Sequence, residues 1–217
     1  HNENCAEKSP FSEPQYIICQ EAGRVKRILD IGCCDGTMLT RLKAQCNEVF
    51  GVDCHGKLVT RARAAGHSVK NFDLNEGVPF EDHHFDCVVA SDVVDFIFDT
   101  RFLFEEVHRV LKPRGFFLFS IPNLNSLPNR LAVLHGEYVR RAGGYPEDHD
   151  GMRVRFFNLK KIVELCRFSG LHVQQTWGLR SRVDGDSTLL RRLARPLYFW
   201  MPNLADTLII RARRIDV

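Results

Sequence analysis

Apolar residues along the chain fall into short runs separated by stretches with helical spacing. The run Val25 to Ile31 ends in a glycine-containing turn, after which Met38, Leu39 and Leu42 recur at a helical interval. Glu48 to Val52 is a second short run of β type, and Lys57 to Ala65 reads as a helix closed by Gly66 just past its end. Ser68 to Phe72 is a third strand candidate and Phe85 to Ala90 a fourth. A helix follows from about Thr100 to Leu111, with Leu103, Phe104, Val107, Val110 and Leu111 on one face. Lys112-Pro113-Arg114-Gly115 reads as its stop signal, and Gly115 to Ile121 as the next strand.

Near-continuous apolar strands alternating with amphipathic helices predict βαβ units and a parallel sheet covered on both faces, so the expected fold is α/β and doubly wound. Residues 1–24 are polar, hold Pro10 and Pro14, and read as an N-terminal arm with a short helix near Tyr16 to Gln20. Residues 25–217 read as a single domain. Within it, residues 122–158 break the rhythm as an insertion, with Leu127 to Leu134 helical. Leu159 to Phe168 then reads as a helix, Leu171 to Trp177 and Ala205 to Arg213 as strands, and Leu189 to Met201 as an Arg-rich helix interrupted by Pro196.

Composition narrows the class. The 217 residues are 44% hydrophobic and 26% charged, which supports a real core and excludes a disordered, collagenous or coiled-coil chain. A net charge of +3 is too small to demand a polyanionic partner, so nucleic acid is not expected. No apolar stretch approaches the roughly 20 residues needed to cross a bilayer, so no membrane is expected either. The 8 cysteines show neither a CxxC pair nor a metal-ligand rhythm. They read as reduced thiols of a cytoplasmic protein that holds no metal. The chain opens at His1 with no basic-then-apolar leader.

The first strand runs into Asp30-Ile31-Gly32-Cys33-Cys34-Asp35-Gly36, and the second ends in Val52-Asp53-Cys54 about twenty residues on. A glycine turn there lets a ligand approach the backbone, and an acidic residue at the tip of the second strand can take both ribose hydroxyls. This layout suits an adenosine ligand. The turn lacks the GxGxxG spacing of a pyrophosphate site, and the carboxylates of Asp30 and Asp35 would repel phosphate. S-adenosylmethionine carries an ammonium and a sulfonium and no phosphate, so the same carboxylates favour it over a nicotinamide dinucleotide.

These residues resemble the first motif of class I S-adenosylmethionine-dependent methyltransferases, with Cys34 in place of the middle glycine. The likeness continues through Asp53 for the ribose, Asn71-Phe72-Asp73-Leu74 for the adenine edge, and Phe85 to Ser91 for the fourth strand. It implies a seven-stranded, mostly parallel Rossmann-like sheet whose last strand is antiparallel, and S-adenosylmethionine as cofactor. It also implies cofactor contacts at Asp30, Gly32, Cys33, Asp35, Gly36, Asp53, Cys54, Asp73, Leu74 and Ser91.

Within that family the chain resembles the methyltransferase type 11 and MetW-like subgroup, on Ile121-Pro122-Asn123 and on Arg153-Val154-Arg155-Phe156-Phe157. Arg153 stands where a histidine is usual in the subgroup, and Val94-Asp95-Phe96 where many members carry Glu-His. The expected function is methyl transfer to a small or medium-sized acceptor at oxygen, with His149 in the insertion as candidate general base. A monomer or homodimer is expected, with a partner enzyme in reserve. The alternatives from other classes are a non-catalytic MetW-like partner protein and an RNA methyltransferase using the basic tail.

Overall fold

The computed structural model describes residues 13–137, 139, 153–179, 198 and 200–215. Its centre is a seven-stranded sheet of β1 (Arg27–Ile31), β2 (Glu48–Asp53), β3 (Ser68–Asn71), β4 (Phe85–Ser91), β5 (Leu111–Pro122), β6 (Leu171–Leu179) and β7 (Thr207–Arg214). The strand order is β3-β2-β1-β4-β5-β7-β6. All pairings through β5 are parallel, and β7 runs antiparallel between β5 and β6. This is the doubly wound arrangement expected from the sequence.

Alternation along each strand explains the unbroken apolar runs. In β5, Phe117, Phe119 and Ile121 enter one core while Phe116 and Leu118 enter the other. In β4, Val88 and Ala90 face the first core, and Cys87 and Val89 the second. A strand buried on both sides has no polar face to show. The first core is closed by α4 (Thr100–Val110) and α6 (Leu159–Phe168), and Phe104 packs edge-on against Phe117 and Phe119 at centroid distances of 5.4 and 5.3 Å. The opposite face is covered by α1 (Glu13–Ala22), α2 (Thr37–Lys43) and α3 (Gly56–Ala64). A further helix, α5 (Leu127–Leu134), lies beyond β5 and buries none of its residues.

Two elements differ from expectation. Residues 13–22 are no free arm: Ile18, Cys19 and Ala22 are buried and pack with Ile28, Cys87 and Leu118. Their one-turn spacing forms a narrow stripe that a polar surround hides, and Pro14 sits in the first turn, where its missing N–H has no intrahelical partner to lose. Lys112 to Gly115 is a bulge inside β5 rather than a stop. Phe85 pairs with Leu111 but Cys87 with Phe116, so the intervening residues loop out opposite Asp86. That carboxylate accepts from the Lys112 ammonium and from the Arg27 amide, each at 2.8 Å. Of the expected helix Leu189 to Met201, only Tyr198, Trp200 and Met201 lie within the described residues.

Candidate active site

The order β3-β2-β1-β4 reverses direction between β1 and β4, and in open α/β sheets the crevice at such a reversal, beyond the carboxyl ends of the strands, is where ligands sit. Gly32 closes β1 with φ 72°, and a Cβ built on it would stand 2.2 Å from Val93 Cγ2. The turn therefore presses directly on the segment leaving β4. Gly32 and Cys33 both donate their amides to the Val52 carbonyl, at 2.8 and 3.2 Å, which draws the turn towards β2.

Asp53 completes that link. Its Oδ2 accepts from the Cys34 amide at 2.9 Å and its Oδ1 from the His55 amide at 2.7 Å. Each carboxylate oxygen has a second lone pair, so Asp53 retains acceptor capacity for ribose hydroxyls. Cys34 adopts φ 49°, a left-handed conformation a glycine would take without strain. The amide held by Asp53 fixes it there. Asp30 is buried, and its Oδ2 has no hydrogen-bond partner among the described residues. Burial, and then the neighbouring Asp53, hold its carboxyl well above the usual carboxylate range. A buried acid with an unsatisfied oxygen fits a ligand that brings a cation and disfavours one that brings phosphate.

The structure brings Asp30, Gly32, Cys34 and Asp53 together and redirects several other candidates. The Cys33 side chain is buried with Leu39, Val59, Ala62 and Val69, beneath α2 and α3. A residue next to the turn glycine points to the opposite face, so only the Cys33 backbone remains for a ligand. Leu74 is likewise a core side chain, packed with Val78 and Phe104. Asp35 Oδ1 accepts from the Thr37 amide and hydroxyl at 3.1 and 2.7 Å, so this carboxylate is tied to the first residue of α2. Gly36, at φ 85°, leaves room for α3, since a Cβ there would stand 2.8 Å from His67 Cδ2 and 3.1 Å from Ala62 Cβ. Asp73 is exposed and accepts from the amide and side chain of Asn75, which caps the 3-10 turn Leu74–Glu76. Cys54 is exposed beside Asp53. Ser91 ends β4, its hydroxyl 3.5 Å from that of Ser120. His149 lies outside the described residues.

On the other side of the crevice, the segment after β4 carries polar groups that the sequence did not single out as a unit. The Ser120 hydroxyl is buried within the apolar run of β5, accepts from the Asp92 amide at 3.0 Å and donates to Asp92 Oδ1 at 3.2 Å. Asp95, in the 3-10 turn Val94–Phe96, is buried and pairs with Arg153. Burial pushes the Arg153 guanidinium down, and nearby Asp92 opposes this. Arg153 also lies 5.0 Å over the Phe96 ring. The amides of Val154 and Arg155 donate to the Asp95 carbonyl, and the Arg155 guanidinium to the Phe98 carbonyl. Farther along the chain, Arg211 stacks 4.0 Å over Phe116, and Arg214 donates to the carbonyls of His108 and Leu111. These two basic residues of the last strand serve the fold rather than a free basic face.

A protein family described as Methyltransferase domain matches residues 29–119. The ubiquinone biosynthesis O-methyltransferase of Thiobacillus denitrificans is 26% identical over 71% of this chain and 68% of that protein. The mitochondrial protein of the same name from Bos taurus is 28% identical over 70% of this chain, which spans 43% of it. Among solved structures, YcgJ of Bacillus subtilis superimposes with a TM-score of 0.67 at 19% identity, covering 94% of this chain and 99% of that one. The domain match, these relatives and the sheet order together support an S-adenosylmethionine-dependent methyltransferase.

Proposed function

We propose that this chain transfers a methyl group to a hydroxyl oxygen of a small or medium-sized acceptor. The observation that carries the reading is Asp30, a buried carboxylate with an unpartnered oxygen, one strand from an Asp53 that organises the glycine turn. When bound, S-adenosylmethionine supplies an electrophilic methyl group on a sulfonium that leaves as a neutral thioether. Asp30 would face its ammonium, Asp53 its ribose, and the backbone from Gly32 to Cys34 would line its approach. Asp73 would serve the adenine edge, and Ser91 would contact the cofactor where β4 ends.

The protein's part in the reaction is alignment. Holding two reactants in line in a water-poor cleft supplies on the order of 7–11 kcal/mol of the barrier. The choice of oxygen draws support from relatives named as O-methyltransferases. The subgroup reading rests on Ile121-Pro122-Asn123 and residues 153–157, which meet in the structure through a parallel bridge between Asn123 and Phe157. The test is incubation with methyl-labelled S-adenosylmethionine and two acceptor pools, one of phenols and alcohols and one of amines, read by mass spectrometry. Label on oxygen supports the reading; label confined to amines, or none in either pool, overturns it.

A further inference from the structure

Asp92 has a geometry the reaction can use. It follows β4 directly, at the crevice, and is half-buried, with φ 53° in the left-handed region. Its neighbour Val93 is the side chain packed against Gly32, so Asp92 sits one residue from the contact with the cofactor turn. A hydroxyl in the middle of a buried apolar strand is costly unless satisfied. Ser120 accepts from the Asp92 amide and donates to its carboxylate, which fixes backbone and carboxylate together. Oδ1 is engaged by Ser120, and Oδ2 accepts no hydrogen bond among the described residues. The groups around it are Ser91, Ser120 and Arg153, the last already paired with Asp95. Farther along the segment Phe96, with the Arg153 guanidinium over its ring, and Phe98 are exposed.

We propose that Asp92 is a catalytic residue whose Oδ2 receives the hydroxyl of the acceptor, with Ser120 as the residue that positions it, and that this hydroxyl is phenolic. The inference rests on the hydroxyl-acceptor reading above. A carboxylate is a weak base, so it serves an acidic hydroxyl far better than an alkyl alcohol. The exposed rings of Phe96 and Phe98 offer an aromatic acceptor a surface to lie against. Asp92 takes the hydroxyl proton as a lone pair of the acceptor oxygen bonds to the methyl carbon. The sulfur keeps the electron pair of the broken bond, and the proton then passes to water.

The experiment titrates 4-nitrocatechol, whose absorbance reports its ionisation, into protein saturated with S-adenosylhomocysteine. Wild type, Asp92→Asn, Ser120→Ala and Ser120→Thr are compared, with S-adenosylhomocysteine affinity measured separately for each. Wild type is expected to bind nitrocatechol with a shift towards the neutral phenol spectrum, because the carboxylate accepts the hydroxyl hydrogen bond and disfavours a second negative charge beside it. Asp92→Asn is expected to keep the affinity for S-adenosylhomocysteine, bind nitrocatechol at least tenfold more weakly and lose the shift. Ser120→Ala weakens nitrocatechol binding, and Ser120→Thr restores it. An Asp92→Asn protein with unchanged nitrocatechol affinity and spectrum overturns the proposal. Should Asp92→Asn not fold, Ser120→Ala decides: wild-type binding and spectrum in that variant overturn it. A wild-type complex that takes up S-adenosylhomocysteine but no nitrocatechol overturns the phenolic role while leaving the methyl donor in place; failure to bind S-adenosylhomocysteine strikes the underlying reading instead.

Discussion

A carboxyl group buried beside another carboxylate costs the unliganded chain stability once it ionises. Asp30 is held above the ordinary carboxylate range by burial and by Asp53, so the folded chain keeps this proton to higher pH than the unfolded one. The stability associated with it is present at low pH and falls as pH rises through and above the usual carboxylate range. A cation placed against Oδ2 reverses the preference and favours the ionised form. Binding of S-adenosylhomocysteine, which carries the same ammonium, is therefore expected to release protons and to tighten as pH rises over that interval. Calorimetry in two buffers of different ionisation enthalpy reads this directly, and an apparent enthalpy independent of buffer would contradict it. Asp30→Asn is expected to raise the melting temperature while weakening binding by tenfold or more. A variant that binds normally would show that Asp30 does not face the ligand. Cys34 illustrates the same division between stability and site: its left-handed backbone costs on the order of 1 kcal/mol, and the hydrogen bond from its amide to Asp53 holds it in place.

At the scale of elements, the turn after β4 and the segment 153–157 form one device. Asp95 and Arg153 are nearly fully buried, with side chains 2% and 10% exposed, and backbone amides of the second segment bond to the Asp95 carbonyl. Removing one member of such a pair leaves a lone buried charge and costs about 3–5 kcal/mol, whereas replacing both with apolar groups is often nearly neutral. Arg153→Met alone is expected to destabilise by about that amount. Asp95→Leu combined with Arg153→Met is expected to recover most of the loss in urea unfolding. Strictly additive losses would show that the two residues are not a unit. The sequence showed both members only as separate departures from a family pattern. Nothing in a single chain tells that residue 95 meets residue 153, because the contact is made by the return of the chain past β5. The stripe of α1 was hidden for a different reason: three buried positions among polar neighbours make too weak a period to read.

Across the molecule, what was legible is what repeats. Strands buried on both faces leave apolar runs, and glycine turns punctuate them, so the doubly wound sheet and the β1–α2 turn could be read from the chain. Side-chain direction within the turn could not. Cys33 and Leu74 were candidates because they lie in stretches that resemble the family's motifs, yet both point into the core. Asp92 escaped notice because its signal is a hydroxyl on another strand. The whole arrangement places acidic groups on both sides of one crevice, Asp30 and Asp53 at β1 and β2, and Asp92 after β4. This crevice suits a cationic adenosyl cofactor and not a dinucleotide. The most direct measurement is calorimetric titration of wild type and Asp53→Asn with S-adenosylhomocysteine and, separately, with NAD, with melting curves confirming that both proteins are folded. Wild type is expected to bind S-adenosylhomocysteine with micromolar Kd, Asp53→Asn to bind it at least tenfold more weakly, and NAD to give no heat. Binding of NAD, or S-adenosylhomocysteine affinity indifferent to Asp53, would contradict that expectation.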